Sequence, residues 1–176
     1  MGGGGYSSLY WGERAELVVS IESDKKWYES IKPRILPHNK MYLKTSILAE
    51  DDLSDYARFP LSLREKFDVI VIDGGDIGGI NTRLECAKVA LGLLDSSSPQ
   101  GAMIIVDNAD WHSGVTRFLR ESGLIQVDFS GFGPINCYTW STSIFLTRNF
   151  AFTPKTSKQP QYSIDALHYE LDSTME

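Results

Sequence analysis

Three short apolar runs along the chain each stop on an acid. They are ELVVSIE at residues 16–22, FDVIVIDGG at 67–75 and GAMIIVDN at 101–108. Runs this short and this rich in Val and Ile read as strands buried on both faces. Between the last two lies INTRLECAKVALGLL, which predicts a helix over about 80–95, ended ahead of Pro99-Gln100-Gly101. Strand, helix, strand predicts a parallel sheet, and ligands of such sheets bind at the carboxyl ends of the strands. Asp73, Asp107 and Asn108 would then line one crevice.

The remaining pattern fills in around these strands. Residues 7–13 predict a short helix opening on Ser7 or Ser8. Ser23 or Asp24 is placed to cap a helix running to Ile31, ahead of Pro33. Met41–Ser46 reads as a short strand. Residues 50–66 are acidic, contain Pro60 and read as a loop with one helical turn. Asp110 is placed to cap a helix from Trp111 to Glu121, which Gly123 stops. Leu124–Phe129 and Thr142–Thr147 read as an antiparallel pair around GFGPIN. Residues 1–149 make one domain. Residues 150–176, with the polar, proline-containing TPKTSKQPQ at 153–161, read as a tail. Within it SIDALHYEL at 163–171 places Ile164, Leu167 and Leu171 at helical spacing.

Composition narrows the class. The 176 residues suit one domain, and 42% hydrophobic with 23% charged residues is enough for a core. The net charge of −6 comes without a basic run, so no nucleic-acid partner is expected. Two cysteines, Cys86 and Cys137, make no disulfide framework and suit the cytoplasm or another reducing compartment. No stretch of about 18 apolar residues reads as a membrane span, and no leader peptide is visible at the start.

The start of the chain adds the last element. GGGGYSSLYW is a glycine-rich turn leading into a helix, and Glu22 lies 17 residues after Gly5. That is near the spacing at which an acid reaches the ribose hydroxyls of a nucleotide. Taken together, GGGGYSS, VVSIES, FDVIVIDGG and GAMIIVDN resemble, in order and spacing, the motifs of the class I S-adenosylmethionine (SAM) dependent methyltransferases over roughly residues 1–148. The resemblance implies an α/β, Rossmann-like three-layer sandwich, mostly parallel with an antiparallel hairpin at its C-terminal edge. It also implies an apolar strand ahead of the glycine-rich turn, central in the sheet between the strands ending at Glu22 and Asp73. The sequence begins inside that motif, so the expectation is a domain lacking its first strand.

The resemblance implies roles for particular residues, each with an ordinary alternative. Gly3 and Gly5 would let the backbone approach the methionine end of SAM. Ser7 would bond its carboxylate or simply cap the helix. Glu22 would accept both ribose hydroxyls or stand as an exposed acid at a strand end. Ser46 and Ile47 fall where the adenine is contacted. Asp73 would touch SAM or substrate. Asp73, Asp107 and Asn108 also resemble the cation ligands of the catechol-type O-methyltransferases, where a divalent metal orients vicinal hydroxyls. Those enzymes carry a lysine three residues after the first acid, and here Asp76 stands there. A looser arrangement of the two acids is therefore expected, with a divalent metal not favoured. His112 is a candidate general base or a solvated histidine. Trp111, Phe132, Tyr138 and Trp140 form an aromatic substrate wall or pack over the sheet edge.

The implied function is methyl transfer from SAM to a small molecule, as an O-methyltransferase if the acids act on a hydroxyl. The alternative is a truncated or degenerate methyltransferase-like domain without activity, serving as a binding module. A nicotinamide-dependent oxidoreductase would need a third glycine where Ser7 or Ser8 stands.

Overall fold

The computed structural model describes residues 6–45, 55–74, 76–77, 80–133 and 137–151. Helix α1 spans Tyr6–Gly12, strand β1 Val19–Glu22, helix α2 Lys25–Ile31 and strand β2 Lys40–Leu43. Strand β3 spans Val69–Ile72, and a small antiparallel hairpin follows it, β4 at Asp76–Ile77 and β5 at Ile80–Asn81. Helix α3 (Arg83–Leu93), strand β6 (Met103–Val106), helix α4 (Ser113–Glu121) and strands β7 (Ile125–Phe132) and β8 (Thr139–Leu146) complete the described elements. No helix among the described residues is long and apolar enough to cross a membrane.

Among the described residues the larger strands form two sheets. β1 pairs with β2 in parallel. β3, β6, β8 and β7 form a second sheet in that order, with β3 and β6 parallel and the last two strands antiparallel. β1 is followed by α2 and a parallel neighbour, β3 by α3 and a parallel neighbour, so both are strand–helix–strand crossover units. This is the α/β, Rossmann-like arrangement with antiparallel C-terminal strands. Among the described residues no strand pairs with the second edge of β1 or of β3.

Burial explains why the central strands are uninterrupted apolar runs. Ile104 and Val106 of β6 are completely buried, between Ala87 and Ala90 of α3, Leu119 of α4 and Phe145 of β8. Small alanines on α3 let the helix sit close to the sheet. β6 is flanked by β3 and β8, so its two edges are satisfied as well as its two faces.

Caps and turns follow the local chemistry with one exception. The Asp24 carboxylate accepts the Trp27 N–H at 2.8 Å and starts α2. Gly123, at φ +90°, stops α4 in the left-handed region that glycine adopts without a Cβ penalty. Asp110 does not cap the helix after β6. Residues 109–111 make a short 3₁₀ turn, α4 begins only at Ser113, and Asp110 Oδ1 instead accepts the Ser141 N–H at 3.1 Å. The carboxylate thereby ties the turn after β6 to the start of β8.

Candidate functional site

Strand β1 ends at Glu22, and Asp73 and Asp107 directly follow β3 and β6. Pairing of Ile72 with Val106 brings Asp73 and Asp107 side by side. The two acids lie close enough for the charge of one to act on the other. Burial, and then the neighbouring Asp107 charge, hold the Asp73 carboxyl above the usual carboxylate range, against the opposing pull of Arg83.

Arg83 organises this end of the sheet. It is 5% exposed at the start of α3. One guanidinium nitrogen donates to the Asp107 carbonyl, and another donates to the Asp73 carbonyl at 2.5 Å. The fork geometry of a guanidinium suits two acceptors on adjacent strands. Asp107 Oδ1 also accepts from the Thr142 hydroxyl at 2.7 Å, which links β6 to β8.

Glu22 is fully buried, in contrast to an exposed strand-end acid. Its Oε1 accepts the N–H groups of Ser23 and Asp24 at 2.7 and 2.8 Å, so the side chain braces the turn into α2. Tyr56 packs close enough to feel the charges of Glu22, Asp73 and Arg83, and burial drives its phenol well above the ordinary value. Asp55 helps fix Tyr56 by accepting the N–H groups of Ala57 and Arg58. Cys86, beside Thr82, has its thiol pushed up to about 11, chiefly by burial, which makes it unreactive at neutral pH.

A cavity of about 340 Å³ opens between β1 and β3. Ser7, Asp73, Gly74 and Tyr56 lie along its wall, with valines and isoleucines of both strands. Ser8, also on the cavity wall, shares a 2.7 Å hydrogen bond with the Ser20 hydroxyl, which fastens α1 to β1. The donor types expected of a nucleotide site are therefore present, with Ser7 and Asp73 on one cavity. Glu22 stands in place but is not part of the cavity wall. Gly3, Gly5, Ser46 and Ile47 lie outside the described residues.

Further along, Asn108 adopts the left-handed conformation at φ 51° and opens the 3₁₀ turn. His112 is half-buried between that turn and α4, and its carbonyl accepts the Val115 and Thr116 N–H groups. Trp111, Tyr138 and Trp140 come together, with ring centroids 6.3 and 5.7 Å apart in sequence along the trio. Phe132 is 74% exposed on β7. No group of three or more His, Cys, Asp or Glu side chains among the described residues could hold a metal ion.

Sequence reasoning missed Arg83 and Tyr56. A lone Arg at a helix start and a Tyr in an acidic loop carry no periodic signal. Only the packing of α3 and of the segment at 55–58 against the strand ends brings them to the acids.

No protein-family model and no curated protein matches the chain. Solved structures do. A candidate methyltransferase from Streptococcus mutans in complex with S-adenosylhomocysteine (SAH) matches with a TM-score of 0.56 and 12% identity, over 82% of this chain and 84% of that one. Precorrin 8w decarboxylase from Methanobacterium thermoautotrophicum matches with a TM-score of 0.49 and 13% identity, over 79% and 73%. An rRNA methylase from Streptococcus thermophilus matches with a TM-score of 0.46 and 11% identity, over 81% and 93%. The first of these likenesses, with the strand order and the acids at the strand ends, shows that the chain has the Rossmann-like fold of the class I SAM-dependent methyltransferases.

Proposed function

We propose that this chain binds SAM at the carboxyl ends of β1, β3 and β6 and passes its methyl group to a small molecule. The observation that carries the reading is the placement of Glu22, Asp73 and Asp107 at the ends of three strands of this fold. SAM supplies a methyl group already activated on a sulfonium, so the protein has chiefly to align and desolvate the partners.

In this reading Ser7 and the Gly3–Gly5 turn hold the amino-acid end of the cofactor, Glu22 its ribose, and Ser46 and Ile47 its adenine. Asp73 faces the sulfonium end. The acceptor lies against Trp111, Tyr138 and Trp140, and a hydroxyl acceptor would give its proton to His112. The Asp73–Asp107 pair holds a proton in place of a divalent cation.

One observation favours a second reading, a methyltransferase-like binding module without activity. Glu22 is fully buried. Calorimetric titration with SAM and SAH separates the two. Saturable binding of both, with SAH as product, supports the transferase. No heat and no thermal stabilisation at millimolar SAM supports the module.

A further inference from the structure

Strand β7 stands at the outer end of the strand order β3-β6-β8-β7. It pairs residue for residue with β8, from Ile125 opposite Leu146 to Phe132 opposite Thr139, without a bulge. The direction of its main-chain groups follows from the neighbouring pairing. The Thr147 N–H donates to the Ala102 carbonyl, so in β8 the odd-numbered residues serve β6 and the even-numbered ones serve β7. Ile125, Val127, Phe129 and Gly131 therefore bond to β8. Gln126, Asp128, Ser130 and Phe132 direct their N–H and C=O groups outward. No described strand pairs with that outer edge.

An open edge is a template for pairing, and folds guard such edges with lysines, prolines, bulges or a covering segment. β7 has none of the first three. Its one charge, Asp128, is turned in to the Ser143 hydroxyl and the Gln126 amide, at 2.5 and 2.6 Å. Gln126 in turn accepts from Arg120 of α4, so these polar side chains share the face that carries the helix. The alternate residues Ile125, Val127 and Phe129 lie on the other face and are 40%, 40% and 57% exposed. The edge is thus long, regular and apolar on one side.

The chain's own segments outside the described residues fit this edge poorly. Residues 134–136 are taken up in joining β7 to β8, and 75 and 78–79 in the β4–β5 hairpin. Residues 1–5 are mostly glycine, a weak strand former. Residues 46–54 run from the end of β2 to Asp55, whose neighbour Tyr56 lies by Glu22 and Asp73. Out and back, that segment reaches about 15 Å at ~3.3 Å per residue. The place beside β7 is four strand spacings from β3, or ~19 Å. In residues 152–176, Ile164, Leu167 and Leu171 recur at helical spacing, and a helix keeps its hydrogen bonds internal.

A second copy of β7 fits by symmetry. Antiparallel pairing about a two-fold axis at Phe129 sets Asp128 opposite the partner's Ser130 and Gln126 opposite the partner's Phe132. Every outward group of both strands then finds a mate, and Asp128 faces a hydroxyl donor. Phe129 meets the partner's Phe129 in the close position of the ladder, where aromatic pairs are favourable. An axis at Asp128 would oppose two like charges. An axis at Ser130 would set Gln126 against Pro134, which has no N–H to give.

We propose that β7 is a homodimerisation edge, its partner a second copy of this chain paired antiparallel about Phe129. The sheet then runs on through both copies, and the two-fold closes the assembly. Gly131, without a side chain, stands between Trp140 and the partner's Val127, so the second copy borders the aromatic residues at this end of the sheet. One strand pair is a small interface, so a Kd of about 1–100 µM is expected. Association needs no SAM, so it stands or falls apart from the methyl-transfer reading.

The test uses the full chain in analytical ultracentrifugation and amide hydrogen exchange across a concentration series. The expected result is a monomer–dimer equilibrium, with protection at the amides of Gln126, Asp128, Ser130 and Phe132 that rises with concentration. Phe129→Lys and Phe129→Glu each place like charges at the axis, and each alone should weaken the dimer by about tenfold or more. An equimolar mixture of the two variants should restore it, which a general loss of surface apolarity or of folding would not produce. Three outcomes would overturn the proposal. The first is a monomer at concentrations up to about 1 mM. The second is a dimer that leaves those four amides unprotected, or one that the mixed variants fail to restore. The third is protection that ignores concentration and is lost on deletion of residues 152–176, which would assign the edge to the tail.

Discussion

Asp73 and Asp107 stand side by side at the ends of two adjacent parallel strands, where the charge of Asp107 adds to burial in raising the Asp73 carboxyl above its usual range. Asp73 keeps its proton to higher pH in the fold than in the unfolded chain, because burial and the Asp107 charge penalise its ionised form. The native state therefore binds this proton more tightly. Its contribution to stability is full below the unfolded value near 4 and is lost as pH rises through the native value. Asp73→Asn removes that loss. We expect the variant to melt a few degrees above the parent at pH 7, with the difference closing towards pH 4. Melting curves at several pH values check this, and an offset that does not vary with pH would refute it.

Arg83 offers a second test, of how the strand ends are held. Its guanidinium serves the carbonyls of Asp73 and Asp107 and is almost wholly buried. Arg83→Met keeps the length and apolar stem but strands both acceptors, and it withdraws the cation that offsets the two acids. Buried groups left without partners cost about 1–3 kcal/mol each, so a loss of roughly 2–4 kcal/mol is expected in urea unfolding. Arg83→Lys should recover only part of it, since an ammonium lacks the planar fork. Full recovery with Lys would mean that charge alone matters there.

The elements read most reliably from the sequence were those with a strong local signal. VIVI and MIIV are continuous β-branched or apolar runs, and both form strands. Asp24 and Gly123 act where their chemistry placed them. Asp110 shows the limit: the same carboxylate that suits a helix cap was claimed by Ser141, 31 residues away. The hairpin at Asp76–Asn81 was invisible because each of its strands is two residues long. At the site, the acids were legible because strands end on them. The burial of Glu22, and the presence of Tyr56 and Arg83 among the acids, depend on packing across elements that no local window contains.

The acids also bear on metal. Asp107 Oδ1 is engaged by Thr142, and burial with the Asp107 charge favours the protonated form of Asp73. A divalent cation would need both groups ionised and free to converge at ~2.0–2.6 Å. We expect no heat on titration with millimolar MgCl₂ and no rise in Tm. Any methyl transfer should persist in EDTA. Activity abolished by EDTA and restored by Mg²⁺ would establish the catechol-type arrangement instead.

Glu22 gives the sharpest test of the cofactor reading, because its two duties can be separated. Its Oε1 braces the turn through the N–H groups of Ser23 and Asp24. In the proposed complex its charge also binds the ribose. Glu22→Gln retains an amide oxygen for the turn and loses the charge. Glu22→Ala loses both. Charge-assisted hydrogen bonds exceed neutral ones, so Gln should weaken SAM binding by about 1–3 kcal/mol while leaving Tm nearly unchanged. Ala should weaken binding at least as much and also lower Tm, since two N–H groups lose their acceptor. Calorimetry with SAM and melting curves on the two variants give both readouts. SAM affinity unaffected in Glu22→Gln would reduce Glu22 to a turn brace and place the ribose elsewhere on the strand ends.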